Sequence, residues 1–246
     1  MKTITCLSVL LSILLSFSAS SFDADLELGI FKLNKGEFKA AIEKFEPLVL
    51  EGYSPAQYQM ALIYQNGYGV QKDQQKAFEL FSLAASQNYP DALFNLAVMY
   101  SEGKVVDKNL TTAFVLYEKA ANKGLASAQF NIGVAYYNGE GVQKDYLKAS
   151  RWYRKAAEQN YALAQFNLAL MYFEGQGVPK STENSYIWNI ISSYNGYVPA
   201  DKSRIIDESK LNGDQIQQAR DEANRIYKNI LAQEEIKNKE ANKKFY

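Results

Sequence analysis

The chain contains no histidine. That removes the side chain most often used as a general base at neutral pH and the commonest metal ligand, so hydrolytic and metal-assisted chemistry lack their usual residues. It contains one cysteine, Cys6, near the start. A form lacking the first twenty residues would carry no thiol, which excludes disulfides as staples and a thiolate as nucleophile. Charge of either sign is not in excess: 27 Lys and Arg face 27 Asp and Glu. Such a balance gives no general attraction to nucleic acid or to an anionic membrane surface.

Apolar runs are short. Ile4 to Phe17 covers 14 residues, broken by Ser8, Ser12 and Ser16, whereas about 20 are needed to span a bilayer. Lys2 precedes this run and Phe17-Ser-Ala-Ser-Ser21 follows it. The order of charge, short apolar run and small residues reads as a secretory signal over residues 1–20, cleaved after Ser20. Cys6 lies too early in it to be a lipid-attachment cysteine. The expectation is an exported protein, periplasmic or secreted, with no stable membrane span after signal removal.

What the chain has in abundance is repetition. Ala56, Ala92, Ala128, Ala164 and Ala200 are 36 residues apart, as are Tyr64, Tyr100, Tyr136 and Tyr172, Gly67, Gly103, Gly139 and Gly175, and Val70, Val106, Val142 and Val178. A period in the range of 20 to 50 marks a stacked array, in which each unit contacts mainly its neighbours. Within a unit, Tyr58, Ala61, Leu62 and Tyr64 follow helical spacing, with Ser54 as expected N-cap and Pro55 behind it. The helix should stop at Asn66-Gly67-Tyr68-Gly69 and a second should start at Asp73, with Asn109, Asp145 and Ser181 at the same cap position later. On these second helices Ala84-Ala85, Ala120-Ala121 and Ala156-Ala157 supply a narrow surface for close approach, while Phe81, Tyr117 and Tyr153 fill the space beside it.

Residues 22–54 form a shorter relative of the unit. Its spacing, Leu28-Gly29, Gly36, Ala41 and Phe45, resembles a tetratricopeptide repeat and suits an N-terminal cap. Residues 55–198 hold four units of 36 residues. Residues 199–233 are expected to be C-terminal capping helices, the last opened by a capping box at Asn212-Gly-Asp-Gln215. Residues 234–246, rich in Lys, Glu and Asn, are expected to be a charged, fraying tail.

The combined pattern, A-x-x-x-φ-[GA]-x-x-Y-x-x-G-x-[GV]-V-x-K-[DN] followed by A-x-x-φ-[FY]-x-x-A-A, resembles the Sel-one-like repeat family. The resemblance implies an all-α fold, an α/α superhelical solenoid of helix-turn-helix repeats like those of tetratricopeptide proteins. It implies a role as a scaffold or adaptor binding a protein or peptide, with envelope or host-contact roles among bacterial exported members. Two departures stand out: Val105 replaces the second turn glycine, and in the fourth unit Asn189 and Ser192-Ser193 replace the aromatic and the paired alanines. Looser packing is expected there.

No cofactor is implied. The turn glycines Gly67/Gly69, Gly139/Gly141 and Gly175/Gly177 follow helices and lack the ending of a phosphate-binding loop. Glu102 and Glu174 are 72 residues apart, too far for paired acid and base work. Asn109-Leu-Thr111 fits a glycosylation sequon, but the asparagine is needed as a cap. Cysteine-rich relatives of the family are linked to penicillin binding and β-lactamase activity. This chain lacks their cysteine pairs, so the expectation is a non-enzyme. A periplasmic regulator of cell-wall enzymes is the alternative.

The candidate partner-binding residues are Gln59, Asn95, Asn131 and Asn167, one amide per first helix at the 36-residue period. An amide both donates and accepts, as the backbone of an extended ligand requires. In tetratricopeptide relatives the first helices line the concave face; the same asparagines also suit a bond within the stack. The column one turn earlier, Pro55, Asp91, Ser127 and Leu163, offers no cation, which disfavours a clamp for acidic C-termini. Val98, Met99, Leu170 and Met171 are expected to be mostly core, with a Met-containing groove as the functional alternative.

Overall fold

The computed structural model describes residues 21–243, and side chains through residue 240. The expected signal segment, with Cys6, lies outside the described residues. The described residues form helices and turns without a strand: α1 (21–34), α2 (Phe38–Leu50), α3 (Ser54–Asn66), α4 (Gln74–Ser86), α5 (Pro90–Glu102), α6 (Leu110–Asn122), α7 (Ala126–Asn138), α8 (Tyr146–Ala157), α9 (Ala162–Glu174), α10 (Thr182–Tyr194), α11 (Val198–Glu208) and α12 (Gly213–Lys243). Two compact units divide the chain, Met1–Lys108 and Asn109–Tyr246. In each, helices adjacent in sequence pack on one another, which is the helix-on-helix layering of an α/α solenoid.

The second helices begin where sequence places them. The side chains of Asp73, Asn109, Asp145 and Ser181 accept from the backbone N–H of Lys76, Thr112, Lys148 and Asn184 at 2.9, 2.9, 2.9 and 3.1 Å. Each satisfies one donor that the first helical turn leaves without an intrahelical acceptor, worth about 1 kcal/mol. The first helices start differently. Tyr53, Tyr89, Leu125 and Tyr161 occupy the N-cap in extended conformation with no side-chain bond, and Ser54 is already helical, so it is not the cap the sequence suggested. These side chains make no bond to the first turn; the tyrosines pack instead, Tyr89 on Tyr58 and Tyr161 on Phe130, each at 5.2 Å between ring centroids.

The glycine-rich turns close against the preceding helix pair. A Cβ on Gly141 would stand 2.1 Å from the carbonyl oxygen of Leu110, and one on Gly177 the same distance from that of Tyr146, with φ of 72° and 68°. Both backbone shape and space therefore demand glycine. Val105, at this position in the second repeat, does not adopt positive φ, so its turn takes another path.

The alanine pairs and Phe81, Tyr117 and Tyr153 are all buried. Helical glycines complete the fit: a Cβ on Gly133 would lie 2.5 Å from the Tyr153 ring, and one on Gly29 2.3 Å from that of Phe45. An aromatic ring from one helix rests directly on the backbone of its partner. The fourth repeat departs from the expected looseness, because Ser185 to Ser192 of α10 are all buried, enclosed by α9, α11 and α12. Open space remains beside Asn189.

At the C-terminus the capping box forms: the N–H of Asn212 donates to Gln215 Oε1 at 3.0 Å and the N–H of Gln215 to Asn212 Oδ1 at 2.9 Å. Residues 234–243 of the expected charged tail are helical, since α12 continues to Lys243. Its sequence is rich in Glu, Lys, Gln and Ala, good helix formers, and extending a formed helix avoids the cost of nucleation. Arg220 of α12 donates to Tyr186 Oη at 3.1 Å and to Glu208 Oε1 at 3.0 Å, joining α12 to α10 and α11. No described helix is long and apolar enough to cross a membrane.

Candidate partner-binding face

The four candidate amides are all half-buried on first helices. In the first unit these are Gln59 on α3 and Asn95 on α5. Asn95 Nδ2 donates to the carbonyl of Asp91, one turn back, at 2.9 Å. Tyr58 and Tyr89 flank it. Burial raises both phenols, Tyr89 to about 12, and the charge of Asp91 adds to each, while a bond from Asn95 opposes the rise at Tyr58. Burial also lifts the Asp91 carboxyl above the ordinary range. The first unit thus presents phenols, a carboxyl and amides together.

In the second unit Asn131 Nδ2 donates to the carbonyl of Ser127 at 2.8 Å. Asn167 bonds the hydroxyl of Tyr153, which burial pushes up to about 12. The backbone bonds of Asn95 and Asn131 fix their side chains on their own helices. A fixed amide loses little rotamer freedom on binding, so it is pre-organised for a ligand backbone. Met99 and Met171 are core residues, at 5% and 0% exposure, which removes the Met-containing groove; Leu170 at 37% remains open.

Sequence reasoning missed the amides that join repeats. Gln57, Gln129 and Gln165, two positions earlier, are buried. Gln87 Nε2 donates to Gln57 Oε1 at 2.9 Å, Gln159 Nε2 to Gln129 Oε1 at 2.8 Å, and Asn195 Nδ2 to Gln165 Oε1 at 2.9 Å. Gln87 and Gln159 also reach the carbonyls of Gly52 and Gly124, at 2.8 and 2.9 Å. A sequence signal existed: the one repeat with Leu93 in place of the glutamine has Lys123 in place of its partner. These amides are structural.

Among the described residues, no three His, Cys, Asp or Glu gather closely enough to hold a metal ion. What the first-helix faces offer is hydrogen bonding and apolar contact.

Residues 54–89, 90–125, 126–161 and 162–202 match the Sel1 repeat. No curated protein sequence matches the chain. Among solved structures, c5321, described as a protective antigen present in uropathogenic Escherichia coli strains and displaying an SLR fold, is 31% identical with a TM-score of 0.77 over 87% of this chain and 47% of that one. The chain therefore spans about half the length of this relative. A Sel1 repeat protein from Oxalobacter formigenes is 27% identical with a TM-score of 0.72, covering 82% of each chain.

Proposed function

The chain belongs to the Sel1 repeat family, and from that premise we propose that it is an exported, non-catalytic adaptor that binds a protein or peptide along its first helices. Repeats of this kind present extended surfaces for protein–protein interaction rather than enclosed reaction sites. The observation that carries the reading is the half-buried amide on each first helix, two of them, Asn95 and Asn131, held by bonds to their own backbone. An extended partner segment finds there both donors and acceptors at the repeat spacing within each unit. The Escherichia coli relative is described as a protective antigen, which agrees with exposure outside the cytoplasm, as does the short apolar run before Ser21.

A photoreactive residue at Asn131, compared with one at exposed Arg151 on α8, tests the binding face in cells. Capture of a partner from position 131 and not from 151 is the expected result; the reverse would overturn the assignment. Mass spectrometry of the mature N-terminus from fractionated cells tests export separately, and an intact Met1 in the cytoplasm would remove that part.

A further inference from the structure

The missing aromatic of the fourth repeat leaves a cavity of about 220 Å³ between α9, α10 and α11. In earlier repeats Phe81 packs on Tyr58 at 5.8 Å and Tyr153 on Phe130 at 5.7 Å. At the equivalent place beside Phe166 stands Asn189, and the space a ring would fill stays open. Pockets for drug-sized ligands run from about 300 to 1,000 Å³. This one suits a single side chain.

Its walls and floor differ in chemistry. Phe166, Leu170, Phe173 and Ile206 form apolar walls, and Leu170 and Ile206 are exposed at the rim. Asp207 and Asn189 also line it, at 1% and 2% exposure. Asp207 Oδ2 accepts from Ser185 Oγ and Asn189 Nδ2, both at 2.8 Å. The other amide atom, Asn189 Oδ1, is buried with no partner. An orphaned buried acceptor forfeits its hydration without replacement, so a donor belongs there. Lys210 does not supply it, because its ammonium lies over the Phe173 ring, 3.9 Å from the centroid. Burial lifts the Asp207 carboxyl against the opposing bonds of Ser185 and Asn189 and the charge of Lys210. An incoming cation would relieve that cost.

We propose that this cavity receives the guanidinium side chain of an arginine from the partner segment. A buried carboxylate and an unpaired carbonyl oxygen call for a donor-rich cation; apolar walls call for an alkyl stem; and the faces of Phe166 and Phe173 accept a planar guanidinium better than a compact ammonium. Phe166 and Leu170 lie on α9 on either side of Asn167 in sequence, which ties the pocket to the proposed binding face. The source in a protein partner rests on that reading, whereas the pocket chemistry does not.

The test uses the full mature chain, two-dimensional amide NMR and blocked single residues: acetyl-arginine methylamide, its citrulline counterpart and its norleucine counterpart. The arginine compound shifts amides in α9, α10 and α11, and citrulline, equal in shape but uncharged, binds at least about tenfold more weakly. Asp207→Asn removes that preference. Asn189→Phe, which restores the ring of the other repeats, blocks binding while an unchanged helical melt shows that the fold survives. Equal binding of citrulline, or no shifts with arginine on the folded protein, overturns the pocket assignment. A free guanidine such as agmatine that binds far more tightly than an arginine-containing peptide overturns the protein source alone. The crosslink at Asn131 reads the binding face independently, so either can fail without the other.

Discussion

Gln129 and Gln159, thirty residues apart in sequence, meet end to end, with Gln159 Nε2 donating to Gln129 Oε1 at 2.8 Å inside the second unit. Gln129 Nε2 in turn donates to the carbonyl of Ala121 at 3.2 Å. One buried amide thereby joins the pair before it to the turn after it. Leu93 and Lys123 show that the two positions change together.

We predict that Gln159→Lys alone destabilises the protein by about 1 to 3 kcal/mol, because the amide that pairs with buried Gln129 gives way to a charged group facing Lys237, whose ammonium loses its acceptor at Gln159 Oε1. Adding Gln129→Leu, which copies the Leu93 and Lys123 repeat, should recover part of that loss. Urea melts of the two single variants and the double variant measure the coupling. Strict additivity would show that the contact carries no energy of its own.

Gly139 and Gly141 separate two reasons for glycine. Both have positive φ, but a Cβ on Gly139 would meet nothing nearer than 3.4 Å. Gly139→Ala should therefore cost about 1 kcal/mol, the left-handed penalty alone. Gly141→Ala adds a clash with the Leu110 carbonyl and is expected to cost clearly more in the same thermal melts.

Ala156 is fully buried between paired helices. Ala156→Leu should overpack the second unit at a cost of about 1 to 3 kcal/mol. An unchanged melting temperature would contradict the close approach described for α7 and α8.

Asn131→Ala is expected to weaken partner capture with little effect on folding, since the bond lost is to its own helix at Ser127. Partner pull-down and a melt on the same preparation check both parts. Loss of stability as large as that of Gln159→Lys would place Asn131 among the structural amides.

Asp207 sets a pH dependence. Its carboxyl is raised in the folded state chiefly by burial, so folded protein binds the proton more readily than unfolded protein. The stabilisation is full below the unfolded value of about 3.9 and is lost as pH rises through the raised folded value. Asp207→Asn removes this slope. Melting temperatures of the variant relative to the parent should rise from acid to neutral pH, and a constant difference would refute the assignment.

Turns, second-helix caps and the alanine surface were legible because each rests on a local signal repeated three or four times. Asp73, Asn109, Asp145 and Ser181 are read from neighbours three residues away, and no tertiary knowledge is needed. The glutamine ladder was not legible in that way. Glutamine reads as surface until its partner, thirty positions on, is considered with it. Residues 234–240 are exposed, as their charged composition suggests, but composition does not show that they continue a helix, on which Glu235 and Lys239 pair at 2.6 Å one turn apart. The cavity at Asn189 was visible in outline as a lost aromatic, but the carboxyl beneath it comes from α11, beyond the fourth repeat.

Most contacts in each unit join helices that follow one another, and α12 is the exception. Asn160 donates to Glu234 and Lys237 to Gln159, both at 3.2 Å, across 74 and 78 residues of chain. Local contacts form fast, whereas distant ones must first close a long loop. A chain released from its N-terminus can therefore settle pair by pair as it emerges, and docking of α12 is the step that waits for residues 213–243. Order of synthesis becomes order of assembly.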